Sequence, residues 1–184
     1  MQEKGKKWRE NMHMELTTPR LKLRPYGMSD FDDVYEYVCD KDDIKYMMFL
    51  PKRDEQETKD FLREVESQWA KDEPDYYEFG AILDGKLIGA VSVYMEENST
   101  KAELGWIFNK KFRGMGYATE ATKAVMEFAI KELHVDEVFA CCDTRNKPSE
   151  KLMKRLGMEL ECEQDRCYSH TGEKATEYKY IYKM

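Results

Sequence analysis

The sequence predicts a mixed α/β fold (α+β), a mostly antiparallel twisted sheet of about seven strands flanked by about four helices. Three observations predict it. "YYEFGAIL", Asp84-Gly85 and "KLIGAVSVY" read as a hairpin, because Asp-Gly supplies the left-handed residues of a type I′ turn. "KAELGWIFN" extends that meander by another strand. The second half of the chain then alternates helical and strand-like runs.

The elements follow in order. Residues 1–14, "MQEKGKKWRENMHM", are polar without a clear period and read as a flexible arm, leaving 15–184 as one domain. "ELTTPRLKLRP" alternates Leu21 and Leu23 with Lys22 and Arg24, a half-buried strand. Ser29 opens a helix, with Asp32 as a partial capping box and Phe31, Val34, Tyr35 and Val38 on one face. Asp54 and Glu57 start a second helix, with Phe61, Val65 and Trp69 on its stripe. The run from Ala118 to Leu133 is helical and apolar nearly all round, so it is expected to be buried. "DEVFACCD" is a strand, and "NKPSEKLMKRLGM" is a short helix with Pro148 in its first turn and Gly157 as its stop. "ELECEQD" and "TEYKYIYKM" close the chain as strands. The last puts Tyr178, Tyr180 and Tyr182 on one face and reads as an exposed strand available to a second subunit, so the chain is expected to be a monomer or homodimer.

Charge excludes some functions. The net charge is −7, whereas nucleic-acid binding needs a basic face. An acidic surface suits a cationic amine substrate and equally suits plain solubility. No apolar run approaches the roughly 18 residues of a membrane span. The first twenty residues lack the apolar core of a signal peptide. The five cysteines show neither a disulfide framework nor zinc spacing, so reduced thiols in the cytoplasm and no metal are expected. A Cys162–Cys167 bridge across a hairpin is the alternative.

"FRGMGYATEA" follows a strand and opens a helix. Tyr117 stands where a Walker loop needs lysine, and Thr119 stands where a dinucleotide fingerprint needs its third small residue. Arg113, Gly116 and Ala118 fit a third pattern, Gln/Arg-x-x-Gly-x-Gly/Ala. Small residues there let backbone N–H groups approach phosphate oxygens, and the helix N-terminus adds a favourable dipole. A plain turn before a helix explains those residues equally well.

In its neighbours, the chain resembles the GNAT superfamily of acyl-CoA-dependent N-acyltransferases, in the branch that includes ribosomal-protein N-terminal acetyltransferases. The resemblance runs from about Glu15 to Met184 and rests on "LTTPRLKLRP", "AELGWIF", "RGMGYATEA" and "NKPSEKLMKRLGM" in that order. It implies a sheet splayed between its fourth and fifth strands. It also implies acetyl-CoA as cosubstrate, with pantetheine along Trp106, Ile107 and Phe108. The pyrophosphate would sit on the backbone of Arg113, Gly114, Met115, Gly116, Tyr117, Ala118 and Thr119. The implied acceptor is a primary amine, on a small molecule or a protein N-terminus.

Amine acetylation needs a base, an oxyanion donor and a route for the thiolate to leave. Glu103, at a position often acidic in the family, is the candidate base; an ordinary strand carboxylate is the bland reading. A fourth-strand backbone N–H is the candidate oxyanion donor. Met153 occupies the position where many family members carry a tyrosine acid. The resemblance implies a role for the Asn-x-x-Ser motif, Asn146 and Ser149, instead: Asn146 contacts the cofactor or caps the helix, and Ser149 sits near the sulfur. A first-turn serine bonding backbone, or a thiolate that leaves unaided, remains open. The histidines His13, His134 and His170 have no evident nucleophile partner, and Cys141 and Cys142 read as strand packing. Tyr46, Met47, Met48 and Phe49, and Tyr76, Tyr77 and Phe79, wall an acceptor site or pack a core. The segment Asp40 to Arg53 is where the resemblance places the acceptor pocket, with Asp40, Asp42 and Asp43 either attracting an amine or lying in a solvated loop. A noncatalytic acyl-CoA-binding module is the rival to an enzyme.

Overall fold

The computed structural model describes residues 14–47, 54–96, 100–168 and 171–183. Most of the expected arm, together with His13, Met48, Phe49 and His170, lies outside the described residues.

The first expected strand is two. A tight turn at Thr18-Pro19-Arg20-Leu21 divides it into β1 (Leu16–Thr17) and β2 (Lys22–Pro25), which pair antiparallel. Thr18 N donates to Leu21 O at 2.9 Å, and Pro19 pre-sets the turn. The sheet therefore has eight strands. A 3₁₀ turn at Met28–Asp30 precedes α1 (Phe31–Val38), so neither Ser29 nor Asp32 acts as expected. Asp30 takes the N-cap place, but Arg24 draws its carboxylate away at 2.6 and 3.0 Å. After the short α2 (Lys41–Ile44), α3 (Glu55–Trp69) is capped as expected, Asp54 accepting from Glu57 N at 2.8 Å.

Strands β3 (Tyr76–Leu83) and β4 (Lys86–Met95) form the expected hairpin. Asp84 and Gly85 both take positive φ, 49° and 85°. β5 (Lys101–Phe108) leads through the loop to α4 (Tyr117–Lys131). Then come β6 (Glu137–Asp143), α5 (Lys147–Arg155), β7 (Glu159–Cys167) and β8 (Lys174–Lys183). The sheet order is β1-β2-β3-β4-β5-β6-β8-β7. The last strand is thus an interior one, paired on both sides with Tyr180 buried, and β7 is the edge. Cys162 and Cys167 lie on that one strand, not across the hairpin, and all five thiols are free.

The sheet opens in the middle. β5 and β6 pair in parallel only from Lys101↔Glu137 to Glu103↔Phe139. Beyond that pair β6 follows β8 and β5 follows β4, so the two diverge into a wedge. In the sequence count these are the fourth and fifth strands. Helices α4 and α5 cover one face, packing Val125, Phe128, Leu152 and Met153 against Phe79, Val91 and Leu104. Helices α1 and α3 cover the other through Val34, Tyr37, Leu62 and Val65 on Ile82 and Leu87. Burial of these apolar side chains is the main stabilising term, about 1.5–3 kcal/mol for each large one.

Candidate active site

The glycine loop is built to leave backbone bare. Asn109 accepts from Lys111 N at 3.0 Å and starts a 3₁₀ turn over Lys110–Phe112. Arg113 folds back, its Nε donating to Phe108 O at 3.1 Å, so this residue holds the loop to the end of β5. Gly116 is the N-cap of α4 at φ 85°, a conformation that penalises any Cβ. Arg20 braces the loop from behind. Its Nε meets Glu120 at 2.6 Å, its Nη1 donates to Met115 O at 2.9 Å, and its guanidinium lies 4.5 Å from the Tyr117 ring centre. Thr18 Oγ1 also donates to Glu120, at 2.6 Å. Burial pushes the Glu120 carboxyl up, but these bonds outweigh it and hold the group below its ordinary range.

A groove of about 570 Å³ runs along this loop. Phe108, Arg113, Gly114, Gly116, Tyr117, Ala118 and Thr119 line one side. Asn146, Lys147, Ser149, Lys151 and Arg155 of the α5 region line the other and add positive charge. Met115 is outside: its side chain is 54% exposed and its carbonyl is turned to Arg20.

The groove meets a second cleft, of about 720 Å³, at the wedge. Trp106, Ile107, Tyr46, Met47, Asn146 and Ser149 line both. Trp106 Nε1 donates to Ser149 Oγ at 3.2 Å across the opening, which leaves the serine proton available to a third group. Asn146 caps α5, accepting from Ser149 N at 3.3 Å. Met153 is fully buried under the sheet.

The cleft floor is the α1/α3 face of the sheet. Glu103 lies on it without a hydrogen-bond partner among the described residues, and burial, then Glu177, raises its pKa. Cys141 lies there too; burial pushes its thiol up to about 12, which keeps it protonated and a poor nucleophile. Buried Arg166 donates to Glu177 at 2.5 Å and to Tyr46 O at 3.1 Å, while its Nε has no partner among the described residues. Segment Asp40–Met47 thereby bridges the wedge, tied by Asp40 to Lys110 on one side and by Tyr46 to Arg166 on the other. Asp40 is therefore engaged, and Asp42 lines the groove, not the acceptor side.

The aromatic group of β3 divides differently from expectation. Tyr77 and Phe79 pack in the core against Trp69 and Phe128. Between them Glu78 faces the cleft, 4% exposed, and accepts from Tyr26 (2.9 Å), Ser92 (2.5 Å) and Tyr94 (3.2 Å). Sequence reasoning missed Glu78, Arg20, Glu120 and Arg166. A lone glutamate between core aromatics was the available signal for the first.

Residues 20–159 match the acetyltransferase (GNAT) domain family, and the chain belongs to it. The chain is 32% identical over 171 residues to the uncharacterized N-acetyltransferase YnaD of Bacillus subtilis, covering 91% of this chain and 95% of that protein. A GNAT-family acetyltransferase structure from Bacillus anthracis superposes with a TM-score of 0.79 at 30% identity, over 92% of this chain and 98% of the other. The RimL ribosomal L7/L12 acetyltransferase in complex with coenzyme A shares the fold, with a TM-score of 0.80 at 14% identity over 93% and 98% of the two chains. The protein is an acetyltransferase of this family. Among the described residues no helix is long and apolar enough to cross a membrane.

Proposed function

We propose that the chain transfers an acetyl group from acetyl-CoA to a primary amine, in a ternary complex without a covalent enzyme intermediate. The observation that carries this reading is the meeting of two clefts at the unpaired stretch of β5: a backbone-lined groove on one side and a carboxylate-bearing cleft on the other. The groove suits the cosubstrate, with its pyrophosphate on the amides from Gly114 to Thr119 and its pantetheine beside Trp106 to Phe108. The RimL structure of the same fold holds coenzyme A, which supports coenzyme A as the group carried.

Glu103 takes the proton of the acceptor ammonium, directly or through one water. A raised pKa brings a carboxylate closer to the value a base needs near neutrality. The freed amine attacks the thioester carbonyl; a C–N bond forms and the C–S bond breaks. A β5 backbone N–H, free of the parallel ladder beyond Glu103, holds the oxyanion. Ser149 donates its hydroxyl hydrogen to the departing sulfur, and the second proton that nitrogen sheds as the amide forms passes through water to reload the serine. Five free cysteines fit a reducing cytoplasm.

The test pairs calorimetry of coenzyme A with thiol release from acetyl-CoA over a panel of amines. Micromolar binding with turnover on at least one amine is expected. Tight binding without turnover on any amine would instead mark a noncatalytic binding module.

A further inference from the structure

The acceptor end of the cleft contains a carboxylate that the proposed chemistry does not use. Glu78 is 4% exposed, and no cation faces it among the described residues. Acidic side chains this deeply buried are rare without a positive partner, because removal from water costs several kcal/mol. Three hydroxyls, Tyr26, Ser92 and Tyr94, satisfy it in the free protein. Burial still dominates and raises its pKa. The cations at the other end of the cleft are engaged: Arg166 with Glu177, and Lys179 with Glu161 at 2.9 Å.

The surroundings of Glu78 select a ligand chemistry. Tyr26, Tyr37, Phe61 and Tyr94 line the same end of the cleft. Aromatic rings around an anion attract an alkylammonium, through cation–π attraction added to the ion pair. Each hydroxyl spends its proton on Glu78 and keeps lone pairs, and an ammonium brings three N–H donors to such oxygens. Between Glu78 and Glu103 the floor is the Tyr94 ring with Gly105 beside it, a low spot where a Cβ would come within 3.4 Å of that ring and 3.6 Å of Ser92 Cβ and Oγ. A methylene chain can lie over it. Glu78 pairs with Ser92 and Ser92 with Gly105, while Glu103 lies two residues along β5 from Gly105, so the Cα atoms of Glu78 and Glu103 are about 12 Å apart on the diagonal.

We propose that the acceptor is a small aliphatic diamine: one nitrogen is acetylated beside Glu103 while the other stays an ammonium and docks on Glu78 among Tyr26, Ser92 and Tyr94. This rests on the acetyl-transfer reading above, and it names the acceptor class. A volume of about 720 Å³ is that of a small-molecule site.

The experiment compares linear diaminoalkanes of increasing length with monoalkylamines of matched length. Turnover is followed by thiol release, and binding by calorimetry on the chain loaded with coenzyme A. One diamine length is expected to exceed its matched monoamine by about tenfold or more in kcat/KM, mainly through KM, and in affinity, as a charged hydrogen-bonded contact implies. Glu78→Gln is expected to collapse both ratios towards one. The wild-type ratios need no variant, so a Glu78→Gln chain that fails to fold leaves the test intact. Equal binding of diamine and monoamine overturns the proposal, as does a ratio that survives Glu78→Gln or a peptide N-terminus preferred to every diamine. Selective diamine binding without turnover keeps this docking site and sinks acetyl transfer. Turnover that ignores the second nitrogen does the reverse.

Discussion

The groove and the cleft on either side of the wedge are made of different materials. The groove comes mainly from two short continuous stretches, Asn146 to Arg155 and Phe108 to Thr119, in the second of which glycines, a back-folded Arg113 and a helix start expose main chain. The cleft is assembled from side chains on α1, the Asp40–Met47 segment and strands β3 to β8, and no two of its polar residues that matter most are neighbours in sequence. The first is a local property of the chain; the second exists only when the strands are in register. Main chain recognises what every reaction of the class shares, while dispersed side chains set what is particular to one acceptor. Variants on the two sides are therefore expected to separate cosubstrate binding from acceptor chemistry.

The largest separation is expected at Glu103. Glu103→Gln is expected to lower kcat/KM by about 10²- to 10⁴-fold, the worth of a positioned base, while coenzyme A affinity stays within error by calorimetry. Glu103 works only when deprotonated, so the wild-type rate falls as pH drops through its pKa. Burial places that limb above the ordinary carboxylate range, and the variant is expected to lose it. Stability runs the opposite way. A carboxyl whose folded pKa is raised costs nothing below the unfolded pKa, and it destabilises progressively as pH rises from there to the folded value. The Gln variant is therefore expected to melt higher than wild type at pH 7 and level with it near pH 3. A variant that is less stable at pH 7, or that keeps the acidic limb, would remove Glu103 from this role.

On the groove side, Gly116→Val is expected to weaken coenzyme A by about 10- to 100-fold. It forces a β-branched residue to φ 85°, which costs of order 1–3 kcal/mol, and places its Cβ 3.3 Å from Arg20 Nη2. An unchanged dissociation constant would mean that the loop does not grip the cosubstrate.

This loop was readable because its glycines, strand and helix are consecutive. The hairpin was readable for the same reason, through Asp84-Gly85. What needed distant contacts was not. Asp30 left its helix for Arg24, and the first strand broke at Pro19, where Arg20 turns towards Glu120. Glu78 stood out between core aromatics, but its cross-strand partner was hidden by a bulge. Counting back from Leu83↔Lys86 and Ile82↔Leu87 sets Glu78 against Val91, but the register shift at Ala81/Ile82 sets it against Ser92, whose hydroxyl it needs. No local pattern announces that shift.

The smaller effects lie where the two sides join. Ser149→Ala is expected to lower kcat by about tenfold, the lower end of what one hydrogen bond to a charged group contributes. KM for acetyl-CoA is expected to change little, and a full kcat would leave the thiolate departing unaided.

Asn146→Ala is the mildest and the most discriminating. Asn146 holds Ser149 N at 3.3 Å and lines both clefts, so its loss acts on α5 before it acts on any ligand. Removing such a cap typically costs about 1 kcal/mol. The expected result is a lower melting temperature, with kcat and coenzyme A affinity reduced together by no more than about fivefold. The two fall together because Ser149 contacts both the serine–indole bridge and the groove wall, and a frayed first turn displaces it from both. A loss confined to coenzyme A affinity, without a change in melting, would make Asn146 a direct ligand and would shift the boundary of the groove by one residue of helix into what is here the junction.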